Sequence, residues 1–357
     1  MSAHTPTPSP APMVHIIILN WNGREDTLAC LESVSRINHP NLKVIVADNG
    51  STDGALDAIK LRFPWVQRVD NGANLGFAGG NNSAVKLALD AGADFVLLLN
   101  NDTIVDPGMV SGFVEAAGRM PRAGIFGAKI YFHADPKRLW YAGGYWDEHT
   151  LSFNEHGAGE IDRGQFDALT ETEWVIGCAM FVRADVFRKI GLLEHKFFLN
   201  NEEIDFCSRA KRAGIACAYV PDARLWHKVS ASFGGEDSPL KEYFSARNRL
   251  LWAQRNAGLG LRWRIYASSA RSLMRRFVGP MLGRTVSGAA SPRTWWWSVR
   301  AAFVDPRNRS AALGFRDFWL RRFGDCPESV RSMTRAWSAQ RVRPAHGAAN
   351  TPATADG

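Results

Sequence analysis

The chain has 357 residues, 46% of them hydrophobic and 22% charged, which is enough for one large globular domain with an extension or for two domains. Its five cysteines are scattered and form no C-x-x-C pair, which argues against a disulfide scaffold or a zinc site and favours reduced thiols. No signal peptide and no run of 18 apolar residues is present, so we expect no membrane-spanning segment.

The net charge of +8 is unevenly distributed along the chain. Residues 255–357 contain 18 arginines, no lysine and 5 acidic residues, a net charge of +13, whereas residues 1–254 carry −5. This asymmetry favours an anionic partner for the C-terminal part, either a membrane surface or nucleic acid. The alternative is a helix bundle whose basic side chains only face solvent.

The first hundred residues alternate between strand and helix patterns. We predict strands at Val14–Leu19, Lys43–Ala47, Gln67–Val69 and Phe95–Leu99. Helices are predicted at 24–36, at 55–62 and from about Gly79 to Ala91. This β-α-β order predicts a parallel sheet with right-handed crossovers.

The fourth of these strands ends abruptly in polar residues. Phe95–Leu99 reads as a buried strand, and Asn100, Asn101 and Asp102 follow it directly. Ligands of open α/β sheets bind beyond the carboxyl ends of the strands, so Asp102 would lie near the phosphates of a bound nucleotide. A carboxylate there requires a divalent cation between itself and a diphosphate, and oxygen ligands suit Mg²⁺ or Mn²⁺. The alternative is an ordinary turn.

Two earlier strands also end in polar loops, and in a parallel sheet these loops lie at one edge. Asn22 follows the first strand, and Asp48, Asn49 and Gly50 follow the second. Asp48 could accept a hydrogen bond from a pyrimidine imide, and Asn22 could hold the base or ribose. Gly50 permits a tight turn and a close approach of the backbone to a ligand.

After Asp102 the pattern becomes less regular. We predict strands at Gly124–Phe132, Trp174–Val182 and Ala216–Val220, with the polar residues 133–172 crossing a surface. Helices are predicted at Asn201–Gly214 and Tyr243–Asn256.

The helix at Asn201–Gly214 begins with several acidic residues. Glu202 and Asp205 share one helical face, and Glu203 points about 100° away from it. Carboxylates at this position suit a general base, although acids are also favoured in the first turn of any helix. Downstream, His227 could complete a metal site or bind phosphate, and Arg247 could bind phosphate as a fork. The alternatives are a structural histidine and a surface charge.

The basic C-terminal part contains an amphipathic helix at 261–278, which we expect Pro280 to break. Its apolar face comprises Trp263, Tyr266, Ala270, Leu273, Met274 and Phe277. Arg264, Arg271 and Arg275 cluster on another face, and Trp295-Trp296-Trp297 follows between arginines. Tryptophan and arginine together suit a lipid headgroup layer, so we predict that this helix lies on an anionic membrane surface. The alternative is that the aromatic stripe packs on the rest of the protein.

Taken together, the motifs resemble the family 2 inverting glycosyltransferases, in particular their rhamnosyltransferase-like branch, over about residues 13–256. The matching segments are Val14–Asn22, Ala47–Gly54, N-L-G-F-A-G-G-N-N at 74–82, L-L-L-N-N-D at 97–102, E-E-I-D-F-C-S-R at 202–209, His227 and Y-F-S-A-R-N at 243–248. The resemblance implies a GT-A fold, an α/β architecture with a mostly parallel sheet flanked by helices. It also implies a nucleotide-diphosphate sugar donor and a divalent metal, Mg²⁺ or Mn²⁺.

The resemblance also assigns roles to individual residues. Asp102 stands for the D-x-D metal ligand with His227 nearby, and Glu202-Glu203 stands for the E-D motif, which leaves Glu203 or Asp205 as the base. The expected donor-binding residues are Asn22, Asp48, Asn49, Gly50, Asn74, Gly76, Gly79, Asn100, Asn101 and Arg247. Trp174 and Gly177 are expected at the acceptor, with Trp174 offering a flat face to a sugar.

We therefore expect an enzyme that moves a sugar, rhamnose from dTDP-rhamnose, to a hydroxyl of a cell-envelope or lipid-linked glycan. Alternatives are a UDP-hexose or UDP-galactofuranose donor, a nucleotidyltransferase, and a non-catalytic glycan- or lipid-binding module. The expected organisation is a disordered tail (1–12), a GT-A domain (13–256), a basic amphipathic helical extension (257–340) and a second disordered tail (341–357). We expect a cytoplasmic protein, peripheral on the inner face of the cell membrane, with no specific nucleic-acid partner.

Overall fold

A computed structural model describes residues 11–229, 237–282 and 300–342. The strands are β1 (Val14–Asn20), β2 (Leu42–Asp48), β3 (Gln67–Asp70), β4 (Phe95–Asn100), β5 (Thr103–Val105), β6 (Ala123–Phe132), β7 (Asp135–Tyr141), β8 (Gly144–Asp147), β9 (Ser152–Glu155), β10 (Thr170–Thr172), β11 (Ala179–Arg183) and β12 (Ala216–His227). The helices are α1 (Arg24–Val34), α2 (Ala55–Arg62), α3 (Gly76–Asp90), α4 (Met109–Arg119), α5 (Ala184–Ile190), α6 (Glu202–Arg212), α7 (Pro239–Asn256), α8 (Leu259–Leu282), α9 (Pro306–Trp319) and α10 (Glu328–Val342).

The main sheet has the strand order β10-β12-β6-β11-β4-β1-β2-β3. Strands β3, β2, β1 and β4 pair in parallel, as the alternating pattern predicts. Their apolar runs are buried, as is typical of parallel strands covered on both faces, and Ile16, Ile17 and Leu98 are fully inaccessible. The fold is a mixed α/β sheet with helices between its strands, the architecture that the resemblance to GT-A enzymes predicts.

The second half of the sheet brings two distant segments together. Strand β12 pairs in parallel with β6 and antiparallel with the short β5, in a register that sets His227 opposite Thr103. Asp102 immediately precedes β5, so this pairing carries His227 to the end of β4. Strand β12 is longer than the predicted Ala216–Val220 because it accommodates Pro221 at a shift of register between Val220 and Arg224.

Three predictions of local structure were wrong. Trp174–Cys178 is not part of a strand, because its apolar side chains fill the interior from a loop and β11 begins only at Ala179. Residues 133–172 contain strands β7 to β10 rather than only a surface crossing. Helix α3 begins at Gly76, three residues before the predicted start.

The basic helix is longer than predicted. Helix α8 continues two residues past Pro280. The proline lacks one amide donor, and because it lies close to the helix end it does not terminate the helix. Trp295-Trp296-Trp297 lies outside the described residues, as do residues 1–10 and 343–357 of the two predicted tails. The five cysteines are buried, and none of them forms a disulfide.

The chain divides into two compact units. The first comprises Met1–Val229, Asn248–Ala267 and Arg321–Asp325, and it contains the whole of the described sheet. The second comprises Ser230–Arg247, Ser268–Leu320 and Cys326–Gly357 and, in its described part, is helical. Residues 237–247 thus group with the second unit, whereas the predicted boundary after residue 256 assigns them to the first.

Candidate active site

The loops that follow β1, β2 and β4 meet at one edge of the sheet. Asn20, at the end of β1, donates its Nδ2 to Asp48 Oδ2 at 2.6 Å and to Ser51 Oγ at 3.1 Å. From the β4 side, Asn101 Nδ2 lies 3.3 Å from Asn20 Oδ1 and 3.0 Å from Thr27 Oγ1. The three strand ends are therefore tied together by side-chain hydrogen bonds around Asn20.

Both carboxylate oxygens of Asp48 accept hydrogen bonds within this network. Its Oδ1 accepts the Ser51 amide at 2.7 Å, its Oδ2 accepts Asn20, and only 1% of the residue is exposed. A carboxylate that is buried and occupied at both oxygens shapes the β2 loop. The geometry therefore does not match the expectation that Asp48 accepts a hydrogen bond from a nucleobase.

Asn22 and Gly50 form the rim of this edge. Asn22 has a left-handed backbone with φ of 50°, and its Oδ1 accepts the Thr52 amide at 2.8 Å. Gly50 has φ of 72°, and a Cβ at this position would lie 3.0 Å from the Ala73 amide nitrogen. Glycine is required here for both conformation and space, as the sequence predicts.

Asn49 and Asn74 hold the loop that leads into α3. Asn49 is buried and donates its Nδ2 to Asn74 Oδ1 at 3.3 Å and to the Gly76 carbonyl at 3.0 Å. Gly79 lies in the first turn of α3, where a Cβ would lie 2.9 Å from Leu75 Cβ. These two asparagines and Gly79 therefore shape the entry to α3.

The amino end of α3 is closed by another segment of the chain. The Phe198 carbonyl accepts the Phe77 amide at 2.6 Å and the Ala78 amide at 3.4 Å, and Asn74 Oδ1 accepts the Gly76 amide at 2.9 Å. A Cβ on Gly76 would lie 2.3 Å from the Phe198 carbonyl oxygen, so only glycine allows this approach. These first amides of α3 are thus engaged by protein atoms rather than directed at a phosphate.

Asp102 and His227 form a buried pair at the end of β4. His227 Nε2 lies 3.0 Å from Asp102 Oδ1, and the two residues are 6% and 5% exposed. The Trp140 ring lies against the imidazole with the centroids 4.4 Å apart, and His227 Nδ1 is buried without a hydrogen-bond partner. Asn100 and Asn101 precede the pair, and Asn101 points back toward Asn20.

This pair fits a divalent cation that takes most of its ligands from a substrate. No group of three or more His, Cys, Asp or Glu side chains with metal-binding geometry occurs among residues 11–229, 237–282 and 300–342. The pair offers one carboxylate and one imidazole, and Mg²⁺ characteristically binds through one or two carboxylates together with substrate phosphates. Asp102 and His227 are the residues that would hold such a cation.

The first turn of α6 buries two carboxyl groups without full partners. Glu202 Oε2 and Glu203 Oε2 are both inaccessible and accept no hydrogen bond. Burial raises the pKa of Glu203 to about 7, with a further contribution from the negative charge of Glu155. Burial and the neighbouring Glu203 also raise the pKa of Glu202 well above its usual range. A carboxyl group that titrates near neutrality is suited to accept a proton in catalysis.

Asp205 has the opposite surroundings. Its Oδ1 accepts Arg255 Nε at 2.8 Å and Asn256 Nδ2 at 2.9 Å, and its Oδ2 accepts Arg209 Nε at 2.9 Å. Despite complete burial, which alone would raise its pKa, these hydrogen bonds and cations hold the pKa below its usual value. The geometry therefore assigns Asp205 to anchoring α6, and of the two candidate bases it favours Glu203.

Gly177 lies next to Glu203, whereas Trp174 does not offer a surface to a ligand. A Cβ on Gly177 would lie 3.1 Å from Phe77 Cζ and 3.8 Å from Glu203 Cβ, so a larger residue here would crowd Phe77 next to Glu203. Trp174 is only 3% exposed, and its indole packs over Gly144. The expected stacking of a sugar on Trp174 does not fit this placement, because the ring is part of the core.

Arg247 is not available to a phosphate in this structure. It belongs to the second unit, is fully buried, and its guanidinium lies over the rings of Tyr243 at 5.3 Å and Phe244 at 4.9 Å. Burial lowers its pKa. The expectation of a donor-binding arginine does not match this environment, because the same charge and planar shape also serve packing on aromatic faces.

Sequence reasoning missed two asparagines that organise the site. Asn20 joins the strand-end loops, and Asn248 binds the loop before α6. Both are fully buried polar residues. Asn20 lies in the motif Val14–Asn22 and Asn248 in the motif at 243–248, but the sequence does not show which asparagine side chains are buried.

Comparison with known proteins gives a consistent result. A family model described as "Glycosyltransferase like family 2" matches residues 10–253. The N-acetylglucosaminyl-diphospho-decaprenol L-rhamnosyltransferase of Mycobacterium tuberculosis is 28% identical over 267 residues, which are 67% of this chain and 85% of that protein. The rhamnosyltransferase WbbL of Escherichia coli is 25% identical over 227 residues, 60% of this chain and 83% of that protein.

Solved structures share the fold at low sequence identity. GalNAc-T7 crystallised with UDP, GalNAc and Mn²⁺ superposes with a TM-score of 0.57 at 13% identity, covering 83% of this chain and 58% of that chain. The mannosyltransferase PcManGT from Pyrobaculum calidifontis, in complex with GDP-Man and Mn²⁺, has a TM-score of 0.51 at 13% identity, covering 89% and 88%.

Proposed function

The chain belongs to the glycosyltransferase-like family 2, and on this premise we propose that it transfers L-rhamnose from dTDP-rhamnose to a hydroxyl group of a lipid-linked glycan, with inversion at the anomeric carbon. The donor is proposed because two of the relatives are named as rhamnosyltransferases and one, RfbF of Shigella flexneri, as a dTDP-rhamnosyl transferase. The lipid-linked acceptor rests on the name of the mycobacterial relative.

The observation that carries the proposal is the environment of Glu203. One of its oxygens is buried without a hydrogen-bond partner, its pKa lies near 7, and its neighbour Gly177 has no side chain. Glu203 takes the proton of the acceptor hydroxyl as that oxygen forms a bond to the anomeric carbon. The bond from this carbon to the diphosphate oxygen breaks, and its electron pair leaves with dTDP.

Asp102 and His227 would hold the divalent cation, Mg²⁺ or Mn²⁺, that this reaction uses. When bound, the cation neutralises the charge that develops on the leaving diphosphate. The strand-end loops that Asn20 ties together would present Asn22 and the backbone around Gly50 to the nucleoside. Because hydrogen bonds already order these loops, donor binding loses less conformational entropy.

The direct test incubates the full chain with Mn²⁺, a polyprenyl-diphosphate N-acetylglucosamine acceptor and a panel of dTDP-rhamnose, UDP-hexoses and UDP-galactofuranose. We expect dTDP release and a product one deoxyhexose heavier only with dTDP-rhamnose. A UDP-sugar product would revise the donor, and release of pyrophosphate would indicate a nucleotidyltransferase. No transfer with any donor would favour a non-catalytic binding module.

The metal assignment is tested separately with Asp102→Ala. We expect loss of the Mn²⁺-dependent rise in melting temperature caused by dTDP. Asp106→Ala, just beyond the short strand β5, is the matched control because the Asp106 carboxylate accepts the nearby Gly108 amide at 2.7 Å. An unchanged Mn²⁺ response in Asp102→Ala would refute the assignment.

We also propose that α8 binds an anionic membrane surface. Among the described residues, no helix is both long and apolar enough to cross a membrane. Trp263 and Met274 are 64% and 61% exposed, and Arg264, Arg271 and Arg275 are exposed as well. An exposed tryptophan and an exposed methionine beside arginines match the headgroup layer, and this placement would bring a lipid-linked acceptor close to the enzyme.

Flotation with liposomes tests this placement. The full chain should float with vesicles containing phosphatidylglycerol and not with neutral vesicles, and Trp263→Ala combined with Met274→Ala should abolish flotation. Trp65→Ala is the control, because Trp65 is 51% exposed but lies between α2 and β3. Flotation that survives the double substitution would assign these side chains to another contact.

A further inference from the structure

Asn248 in α7 holds a segment of main chain that is far from it in sequence. The residue is fully buried, and its Nδ2 lies 2.9 Å from the carbonyl oxygen of Phe197, 2.8 Å from that of Leu199 and 2.7 Å from that of Asn200. The two N–H groups of one side-chain amide are thus shared among three carbonyls within four consecutive residues. We name residues 197–201 the hinge loop.

The hinge loop has a backbone that its own residues do not favour. Phe198, Asn200 and Asn201 have φ of 63°, 74° and 75°, in the left-handed region that suits glycine. Asparagine tolerates this region, but a bulky aromatic residue such as Phe198 rarely adopts it. Such a conformation persists only where surrounding interactions fix it, and it is most common at functional sites.

The hinge loop connects two parts of the candidate active site. The Phe198 carbonyl accepts the first amides of α3, next to Gly76. Asn201 is the N-cap of α6, and its side chain makes no capping hydrogen bond. Glu203 follows two residues later, and Gly177 lies beside both Glu203 and Phe77. A shift in the hinge loop would therefore move Glu203 relative to the α3 entry.

We propose that Asn248 is a positioning residue for the base Glu203, acting by fixing the hinge loop between α3 and α6. This inference rests on the proposed function, in which Glu203 accepts the acceptor proton. It adds a residue that does not itself touch substrate. The role depends on the side-chain amide, because Nδ2 is the donor that these three carbonyls share.

The test compares three variants of the full chain. Asn248→Ala removes the donor, and Asn248→Ser retains a shorter one. The control is Asn82→Ala: Asn82 binds the Leu193 main chain in the same way, donating to its carbonyl at 2.8 Å and accepting its amide at 3.1 Å. All three variants are first compared by thermal unfolding.

We expect Asn248→Ala to lower kcat about 10- to 100-fold, since a displacement of about 1 Å in a catalytic group has an effect of this order. The KM for the donor should stay within about threefold, because the loops after β1, β2 and β4 are held by hydrogen bonds to one another rather than to Asn248. In the parent, kcat should fall as the pH drops below about 7, because Glu203 becomes protonated; we call this fall the acid limb of the pH profile. In Asn248→Ala the acid limb should move to lower pH, because water that reaches Glu203 lowers its pKa. Asn248→Ser should lie between Ala and the parent, and Asn82→Ala should leave the limb in place.

Hydrogen–deuterium exchange gives a readout that does not depend on activity. Amides of residues 197–207 should exchange faster in Asn248→Ala than in Asn82→Ala at equal melting temperature. Unchanged exchange there, or equal losses of kcat in both variants with the same pH limb, would overturn the proposal. So would unfolding of both Asn248 variants, which would make Asn248 a residue of stability only. If the parent transfers no sugar, the proposed function fails while the exchange experiment still tests the hinge loop.

Discussion

The loops that follow β1, β2 and β4 and the first turn of α6 carry similar polar side chains, but these side chains differ in how they are hydrogen-bonded. In the loops, Asp48 and Asn49 are buried with hydrogen bonds to neighbouring protein groups. In α6, Glu202 and Glu203 each bury a carboxyl oxygen without a partner. Buried polar groups are normally satisfied, and the exceptions require an explanation. In the loops the polar groups hold the backbone in shape, whereas the unpaired oxygen of Glu203 matches the role of base proposed for it.

The largest expected effect comes from removing the charge in α6. Glu203→Gln should lower kcat about 10²- to 10⁴-fold, because the amide cannot accept a proton. Donor binding, measured by titration calorimetry with dTDP and Mn²⁺, should stay unchanged. Glu115→Gln on the surface of α4 is the control. Activity within twofold of the parent would place the base elsewhere.

A substitution in the loops should instead act on stability. Asn20→Ala removes the partners of buried Asp48 and Thr27, and we expect a loss of about 2–4 kcal/mol in the free energy of unfolding. Urea unfolding measures it, with Asn41→Ala as the control because Asn41 donates to one carbonyl, that of Ala11. A loss no larger than in the control would remove Asn20 from the centre of the loop network.

Stability as a function of pH separates the two regions further. The pKa of Glu203 is raised from 4.5 to about 7 in the folded protein, so its stabilising contribution is complete below pH 4.5 and is lost as pH rises through 7. Glu203→Gln should therefore be more stable than the parent by about 3 kcal/mol at pH 8.5, and equally stable at pH 4. A difference that does not vary with pH would contradict the raised pKa.

The smallest effect is expected beside Glu203. Gly177→Ala places a methyl group 3.1 Å from Phe77 Cζ, and we expect the KM for the acceptor to rise about three- to tenfold with little loss of stability. Gly118→Ala in α4 is the control, since nothing lies within 4 Å of its new Cβ. An unchanged KM would separate Gly177 from the acceptor path.

Local patterns predicted most of the elements that carry the site. The apolar runs that end at Asn20, Asp48 and Asn100 set the parallel strands and the edge where their loops meet. Conformational needs were also readable from the sequence, as Gly50 shows. Residue type alone did not predict the environment of side chains that can either pack in the interior or bind a ligand. Trp174 packs in the core, and Arg247 lies over aromatic rings in the second unit.

The sequence by itself determined the order of strands and helices and the presence of carboxylates at the strand ends and in α6, because hydrophobic periodicity and side-chain chemistry are local properties. Only the tertiary structure decided which carboxylate is anchored, as Asp205 is, and which is left with an unpaired oxygen, as Glu203 is. It also decided the pairing of His227 with Asp102 across 125 residues. The physical reason is that burial and hydrogen-bond partners come from segments distant in the chain, and these fix the protonation and position of a group.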